Sequence, residues 1–209
     1  MPDFQKGQYM SKIILASKSP RRIELLKMCN INFNSLVADI DEDLIKSDIL
    51  ATFKEENTFE QAEILTKKLA HEKALYIYKE NPDHLVIGSD TLVVTDKSIL
   101  GKPKDPQDAY IMLRELSGQV HRVYTGVSII GPGYENTFVS IAQVKFYDFD
   151  PAMDQIIIDY IASGSPMDKA GGYGIQDMGA LLVEYIESDY YTIMGLPLGQ
   201  VYRKLKNLK

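Results

Sequence analysis

Ile13-Ile14-Leu15-Ala16-Ser17-Lys18-Ser19-Pro20-Arg21-Arg22 joins two kinds of local structure in one short stretch. Ile13 to Ala16 is a continuous apolar run, the pattern of a strand buried on both faces. Ser19 suits an N-cap and Pro20 the first helical position, so a helix runs on from Arg21 with Ile23, Leu26 and Cys29 on one face. A buried strand that feeds a helix is the building unit of α/β proteins.

The alternation continues outward from there. Residues 31–37 read as a weaker strand, followed by the acidic loop Asp39-Ile40-Asp41-Glu42-Asp43. Thr58-Phe59-Glu60-Gln61 has the form of a capping box, and Asn81-Pro82 ends the helix it starts, whose apolar stripe runs Ala62, Leu65, Leu69, Tyr76. Leu85 to Gly88 is a second buried-strand run. It ends in Ser89-Asp90-Thr91 and continues through Leu92 to Val94. Asp105-Pro106 opens a helix with Ala109, Met112, Leu113 and Leu116 inward, and Gly118 closes it. Val123, Thr125, Val127 and Ile129 lead into the turn Gly131-Pro132-Gly133, and Phe138 to Phe146 returns as a hairpin. Asp150-Pro151 opens another helix, Asp168 to Gly179 is glycine-rich, Ala180 to Ile186 reads as a strand, and an amphipathic helix follows Leu196-Pro197. The expected fold is α/β, with a mixed central sheet flanked by helices.

The chain has 209 residues, 45% apolar and 25% charged, which excludes general disorder. No linker-like stretch divides it. Residues 1–9 are expected to be a loose extension and residues 10–209 a single domain. The net charge of −6 argues against a nucleic-acid polymer or an anionic membrane as the main partner, while leaving room for a small anion in a local basic pocket. No run reaches the ~18 apolar residues of a membrane span, and the N-terminus lacks an apolar signal core. One cysteine, Cys29, excludes an internal disulfide framework and fits a reduced, cytoplasmic compartment.

Six places carry candidate chemistry. In Ser17-Lys18-Ser19-Pro20-Arg21-Arg22, free N–H groups at a helix start, two hydroxyls and two arginines suit an anion. An ordinary capped helix is the competing reading, but positive charge there opposes the helix dipole. Asp90 follows a buried strand, at the edge where open α/β sheets bind ligands; the alternative is an Asx turn. Lys73 lies on the apolar stripe of its helix, where a lysine either snorkels to solvent, the commoner outcome, or points its ammonium into a cleft. Gly101-Lys102-Pro103 holds a lysine in stiff backbone or is a plain turn. Asp168-Lys169-Ala170-Gly171-Gly172-Tyr173-Gly174-Ile175-Gln176 allows close backbone approach and ends in an amide suited to a base edge, or is a flexible loop. Asp41-Glu42-Asp43 offers hard oxygen ligands or is simply solvated. Neither a Walker A loop nor G-x-G-x-x-G occurs.

Ile14 to Arg22, Gly88-Ser89-Asp90-Thr91, Leu100-Gly101-Lys102-Pro103, Tyr124-Thr125-Gly126, Asp168 to Gly171 with Tyr173 to Gln176, and Gly195-Leu196-Pro197-Leu198 together resemble, in order, the Maf family. The resemblance covers about residues 12–205. It implies an α/β fold with two lobes around a cleft, similar to inosine triphosphate pyrophosphatases. It also implies a cytoplasmic enzyme that cleaves nucleoside triphosphates to the monophosphate and pyrophosphate with a divalent metal, Mg²⁺ or Mn²⁺, as a guard on nucleotide pools. The family's specificity markers fall at Arg21, Thr91 and Gln176, and Arg, Thr and Gln match its dTTP/UTP group. On that footing Asp90 is the expected catalytic base. Ser17, Arg21, Arg22, Lys73 and Lys102 are expected on the phosphates, and Glu42 with Asp90 on the metal. The rival readings are the same chemistry on 7-methyl-GTP or inosine-type triphosphates, and a nucleotide-binding regulator of septum formation. A homodimer is the default assembly.

Overall fold

A computed structural model describes residues 12–208. The expected N-terminal extension lies outside the described residues. One seven-stranded sheet carries the chain. Its strands are β1 (Ile13–Ala16), β2 (Phe33–Leu36), β3 (Leu85–Val94), β4 (Ile99–Leu100), β5 (Val120–Gly131), β6 (Tyr134–Phe146) and β7 (Val183–Glu187). Its helices are α1 (Pro20–Met28), α2 (Glu42–Thr52), α3 (Thr58–Glu80), α4 (Pro106–Leu116), α5 (Pro151–Ala162), α6 (Tyr190–Met194) and α7 (Leu198–Lys206). The strand order is β2-β1-β3-β5-β6-β7, with β4 paired to β3 off this path. β1 is parallel to β2 and β3, and every other pairing is antiparallel, so the sheet is mixed as expected.

The central strand β3 explains where a site can form. On one side β5 accompanies it from Val86 to Val94. On the other, β1 covers Leu85 to Gly88 and β4 covers only Val93 and Val94. Ser89, Asp90, Thr91 and Leu92 lie between these two partners, so the sheet opens there. Side chains along a strand alternate between faces. Leu85 and Ile87 enter a core with Leu15, Leu25, Leu26 and Val201, while Val93 enters a second core with Leu113, Phe146, Met153 and Tyr160. The opposite face, with Val86, Leu92 and Val94, is covered by α3 through Ala62, Leu65, Leu69, Ala74 and Ile77. One face therefore carries two cores, one on each side of the opening, and α3 spans both from behind.

α3 lies unusually close to the sheet. A Cβ on Gly88 would run into the Ala70 carbonyl oxygen, and one on Gly126 into the carbonyl of Thr66. Gly126 is the register partner of Asp90. The two glycines thus bring α3 against the backbone on either side of that carboxylate.

Several local expectations are corrected. The acidic segment is the start of α2: Asp41 is its N-cap, accepting from the Leu44 N–H at 2.9 Å, and Glu42 its first residue. α3 is capped by Asn57, one residue earlier than expected, in a capping box with Glu60. Its stripe continues through Ala70, Ala74 and Ile77 rather than Tyr76, which is exposed. β3 does not end at Asp90 but runs straight through it. In α1 the fully buried residues are Leu25 and Leu26, with Ile23 and Cys29 only half-buried. Met112 of α4 is likewise half-buried, and β6 begins at Tyr134. Met178 to Leu182 forms 3-10 turns before β7 starts at Val183.

The second core contains a titratable group. His121 is 1% exposed and packs edge-on against Phe146 and Tyr173, at ring separations of 5.0 and 5.4 Å. Its Nε2 lies 2.8 Å from the Tyr173 hydroxyl, while Nδ1 has no partner. Burial lowers its pKa to about 3. An unfolded histidine titrates near 6.5, so the unfolded state takes up the proton first as pH falls. Its contribution to stability is complete above pH ~6.5 and is lost on acidification, by up to ~1.4 kcal/mol per pH unit. Urea midpoints should decline between pH 7 and 5 in the wild type and less steeply in His121→Phe. Parallel slopes would assign the acid sensitivity elsewhere.

Candidate active site

The opening in the sheet continues into a cleft of ≈ 940 Å³. Each residue to which the resemblance gives a role reaches its wall: Ser17, Arg21, Arg22, Glu42, Lys73, Asp90, Thr91, Lys102 and Gln176.

Strand alternation divides the two central side chains. Asp90 points to the α3 face, where it is 7% exposed. Lys73 of α3 donates to its Oδ1 at 2.6 Å. The same ammonium lies 3.0 Å from Glu42 Oε1 at the start of α2. Lys73 therefore does not snorkel to solvent; its side chain is 12% exposed and joins two carboxylates. A buried carboxylate without such a partner would be costly. Asp90 Oδ2 takes no hydrogen bond among the described residues.

Thr91 points to the other face and meets α1. Arg22 donates from Nη2 to Thr91 Oγ1 at 2.9 Å and from Nε to the Gly195 carbonyl at 2.8 Å. Burial pulls the Arg22 pKa below the usual guanidinium value, with Asp90 acting against that pull. The proton order of this chain is fixed. Thr125 Oγ1 donates to the Thr192 carbonyl at 2.7 Å, so across the 3.0 Å contact between the two hydroxyls Thr91 is the donor. Thr91 has one proton, and Thr125 takes it. Only a lone pair of Thr91 is left to face a ligand, and its main work here is to hold Arg22.

At the mouth of the cleft, Ser19 occupies the N-cap position of α1 but makes no side-chain cap bond. Ser17 Oγ accepts from the Ser19 N–H at 3.1 Å and keeps its own proton as a donor. Arg21 reaches across to Asp168, Nη1 to Oδ2 at 3.1 Å. Asp168 is shared with Lys169 at 2.6 Å. Burial alone would raise the Asp168 pKa, but Lys169 and Arg21 outweigh it and hold the carboxyl below its usual value. Lys102, on the loop after β4, is exposed on the wall of the cleft, as is Gln176.

The sequence reading missed three participants. Asp168 and Lys169 sat in a motif read for its glycines. The Gly195 carbonyl that holds Arg22 belongs to the C-cap of α6, a helix not expected at all. Asp189 at its N-cap and Gly195 at φ +104° just past its end were the available signals.

Among the described residues no three His, Cys, Asp or Glu side chains converge as a ready-made metal cage. Glu42 and Asp90 nonetheless fit a hard divalent ion. Both are carboxylates, both lie against one cation, and Mg²⁺ is commonly held by one or two carboxylates plus substrate phosphates.

A cleft that sets an ammonium and two carboxylates beside a helix start with two arginines defines a protein for a small polyanionic ligand. The Maf-like protein family model matches residues 12–208, and the chain belongs to that family. Among its relatives, a dTTP/UTP pyrophosphatase of Geobacillus sp. (strain WCH70) is 45% identical over 95% of this chain and 99% of its own length. Those of Thermosipho africanus (44%, over 91% and 90%) and Aquifex aeolicus (42%, over 94% and 95%) are similar. Among solved structures, the Staphylococcus aureus Ham1 protein aligns with 94% of this chain at 14% identity and a TM-score of 0.48, too distant to bear on function. No helix among the described residues is long and apolar enough to cross a membrane.

Proposed function

We propose that this protein hydrolyses dTTP and UTP to the nucleoside monophosphate and pyrophosphate, with Asp90 as general base. The observation that carries this reading is the position of Asp90: an almost buried carboxylate in the gap of the sheet, one oxygen on Lys73 and the other free of protein partners. Its free oxygen takes a proton from a water that attacks the α-phosphorus. The new P–O bond forms as the bond from the α-phosphorus to the α,β-bridging oxygen breaks, and pyrophosphate leaves. Arg21, Arg22, Lys73 and Lys102 hold the phosphates in a rigid cationic frame, with Ser17 as a neutral donor. Glu42 and Asp90 would hold a Mg²⁺ or Mn²⁺ ion together with phosphate oxygens. Such an ion, when bound, offsets negative charge on the leaving pyrophosphate. Gln176 reads the pyrimidine edge, since an amide matches carbonyl acceptors and an N–H. Arg21 and Thr91 complete the selectivity, Thr91 chiefly through Arg22. A nucleotide substrate and one cysteine suit the cytoplasm, with no nucleic-acid polymer or membrane as partner and a homodimer as the default assembly.

The test is a panel at equal concentration, with and without Mg²⁺ or Mn²⁺, followed by phosphorus NMR. dTTP and UTP should exceed 7-methyl-GTP and ITP, and pyrophosphate should be the released product. Orthophosphate with a diphosphate would mean attack at another phosphorus. Faster turnover of the purines would discard the pyrimidine assignment, and nucleotide binding without turnover would favour a regulator.

A further inference from the structure

We propose that Tyr160, Asp177 and Lys169 form a positioning unit that fixes the backbone presenting Gln176 for base recognition, an inference that rests on the base-reading role given to Gln176 above. Lys169 is 7% exposed, although it lies in the wall of the cleft. Its ammonium has four acceptors: the Ser165 carbonyl at 2.5 Å, Ser165 Oγ at 3.1 Å, Asp168 Oδ1 at 2.6 Å and Asp177 Oδ2 at 3.3 Å. An ammonium has three protons, so none is left for a phosphate. This lysine serves the loop, not the ligand.

Asp177 is its counterpart. Oδ1 accepts from the Tyr160 hydroxyl and from the Gly179 N–H, both at 2.9 Å, and Oδ2 accepts from Ser165 Oγ at 2.8 Å. The Tyr160 oxygen in turn accepts the Gly174 N–H at 2.9 Å. Gly174 and Asp177 bracket Ile175 and Gln176, so one hydroxyl ties down both ends of the segment that presents the amide. Packing closes the rest. A Cβ on Gly174 would meet Lys169 Cε at 2.6 Å, and one on Gly179 would meet the Gly174 carbonyl at 2.6 Å. Burial, then the bond to Asp177, raises the Tyr160 pKa, so the phenol remains a donor throughout the working range. Gln176 alone faces outward, exposed and with no hydrogen bond among the described residues. A backbone fixed on both sides of an unpartnered amide is preorganised for a ligand, because less freedom is lost on binding.

Tyr160→Phe deletes the hydroxyl and keeps the ring in the second core. kcat and KM are to be measured on UTP and CTP, which share sugar and phosphates and differ at the base edge, together with inhibition by inorganic tripolyphosphate, which has no base. The ratio of kcat/KM for UTP over CTP should fall by about tenfold, through KM for UTP. kcat at saturating UTP and the tripolyphosphate inhibition constant should stay near wild type. An unchanged ratio overturns the proposal, and so does tripolyphosphate inhibition that weakens in step with UTP binding. Should Tyr160→Phe fail to fold, Ser165→Ala, which removes one donor to Asp177 and one acceptor of Lys169, reads the same ratio and decides in the same way. A wild-type ratio near one would instead sink the base-reading role itself.

Discussion

Asp90→Asn should lose roughly 10²–10⁴-fold in kcat, the usual worth of a positioned general base, while KM for dTTP changes little. The substitution is nearly isosteric at a site that is 7% exposed, so packing around β3 survives. An asparagine oxygen still accepts from Lys73, which keeps Glu42 at 3.0 Å as its charged partner. The ammonium is therefore not left alone in the cleft, and the melting temperature should fall only modestly. What disappears is the negative charge: the outer oxygen no longer takes a proton, and the ion assigned to Glu42 and Asp90 keeps only one of its two carboxylates. Near-normal kcat would strip Asp90 of the base role and make Glu42, the other carboxylate on Lys73, the next residue to test. A variant that fails to bind dTTP at all would point instead to Asp90 acting chiefly as a ligand of the ion that meets the phosphates.

The range of each interaction decides whether the sequence alone reveals it. β1 and the first half of β3 are apolar because both of their faces are covered, and that needs no knowledge of partners. The helices opened by Pro20, Pro106 and Pro151 announce themselves through local backbone chemistry. α2 was not legible, since none of its residues is fully buried and its apolar face only leans on α3 through Ile45 and Ile49. The continuity of β3 was hidden for the opposite reason. Ser89, Asp90 and Thr91 look like the end of a buried strand until their partners are known, and those partners are the carbonyls of Gly126 and Gly195, Lys73, Arg22 and Thr125. The sequence separations run from 17 to 106 residues, beyond any local pattern. Lys73 shows the same limit: its place on an apolar stripe leaves snorkelling and a cleft-facing ammonium both open, and the close approach of α3 allowed by Gly88 and Gly126 brings its ammonium onto Asp90. Candidate residues were thus visible as types and positions, whereas the division of labour between the two faces of β3 was not.

That division gives Lys73→Met two effects that are measured separately. In the free protein the ammonium sits against Asp90 at 2.6 Å and Glu42 at 3.0 Å, between the two oxygen donors assigned to the metal. Methionine keeps most of the stem packed on α3 and removes the charge. Turnover of dTTP should fall, because a charge-assisted bond to phosphate is worth about 1.5–3 kcal/mol, and kcat/KM should drop by at least about tenfold for that bond alone. Arginine should restore this only in part, since its planar fork does not reproduce a compact ammonium. Metal binding without nucleotide should move in the other direction. Asp90 and Glu42, both in contact with that ammonium in the wild type, are then left without a resident cation, and neighbouring carboxylates favour any cation that can lie between them. Mn²⁺ titrated into nucleotide-free protein and followed by electron paramagnetic resonance should bind more tightly to Lys73→Met than to wild type, and Glu42→Gln in the same background should cancel the gain. Unchanged Mn²⁺ affinity would remove Glu42 and Asp90 from the metal's ligands while leaving the base role of Asp90 to its own test.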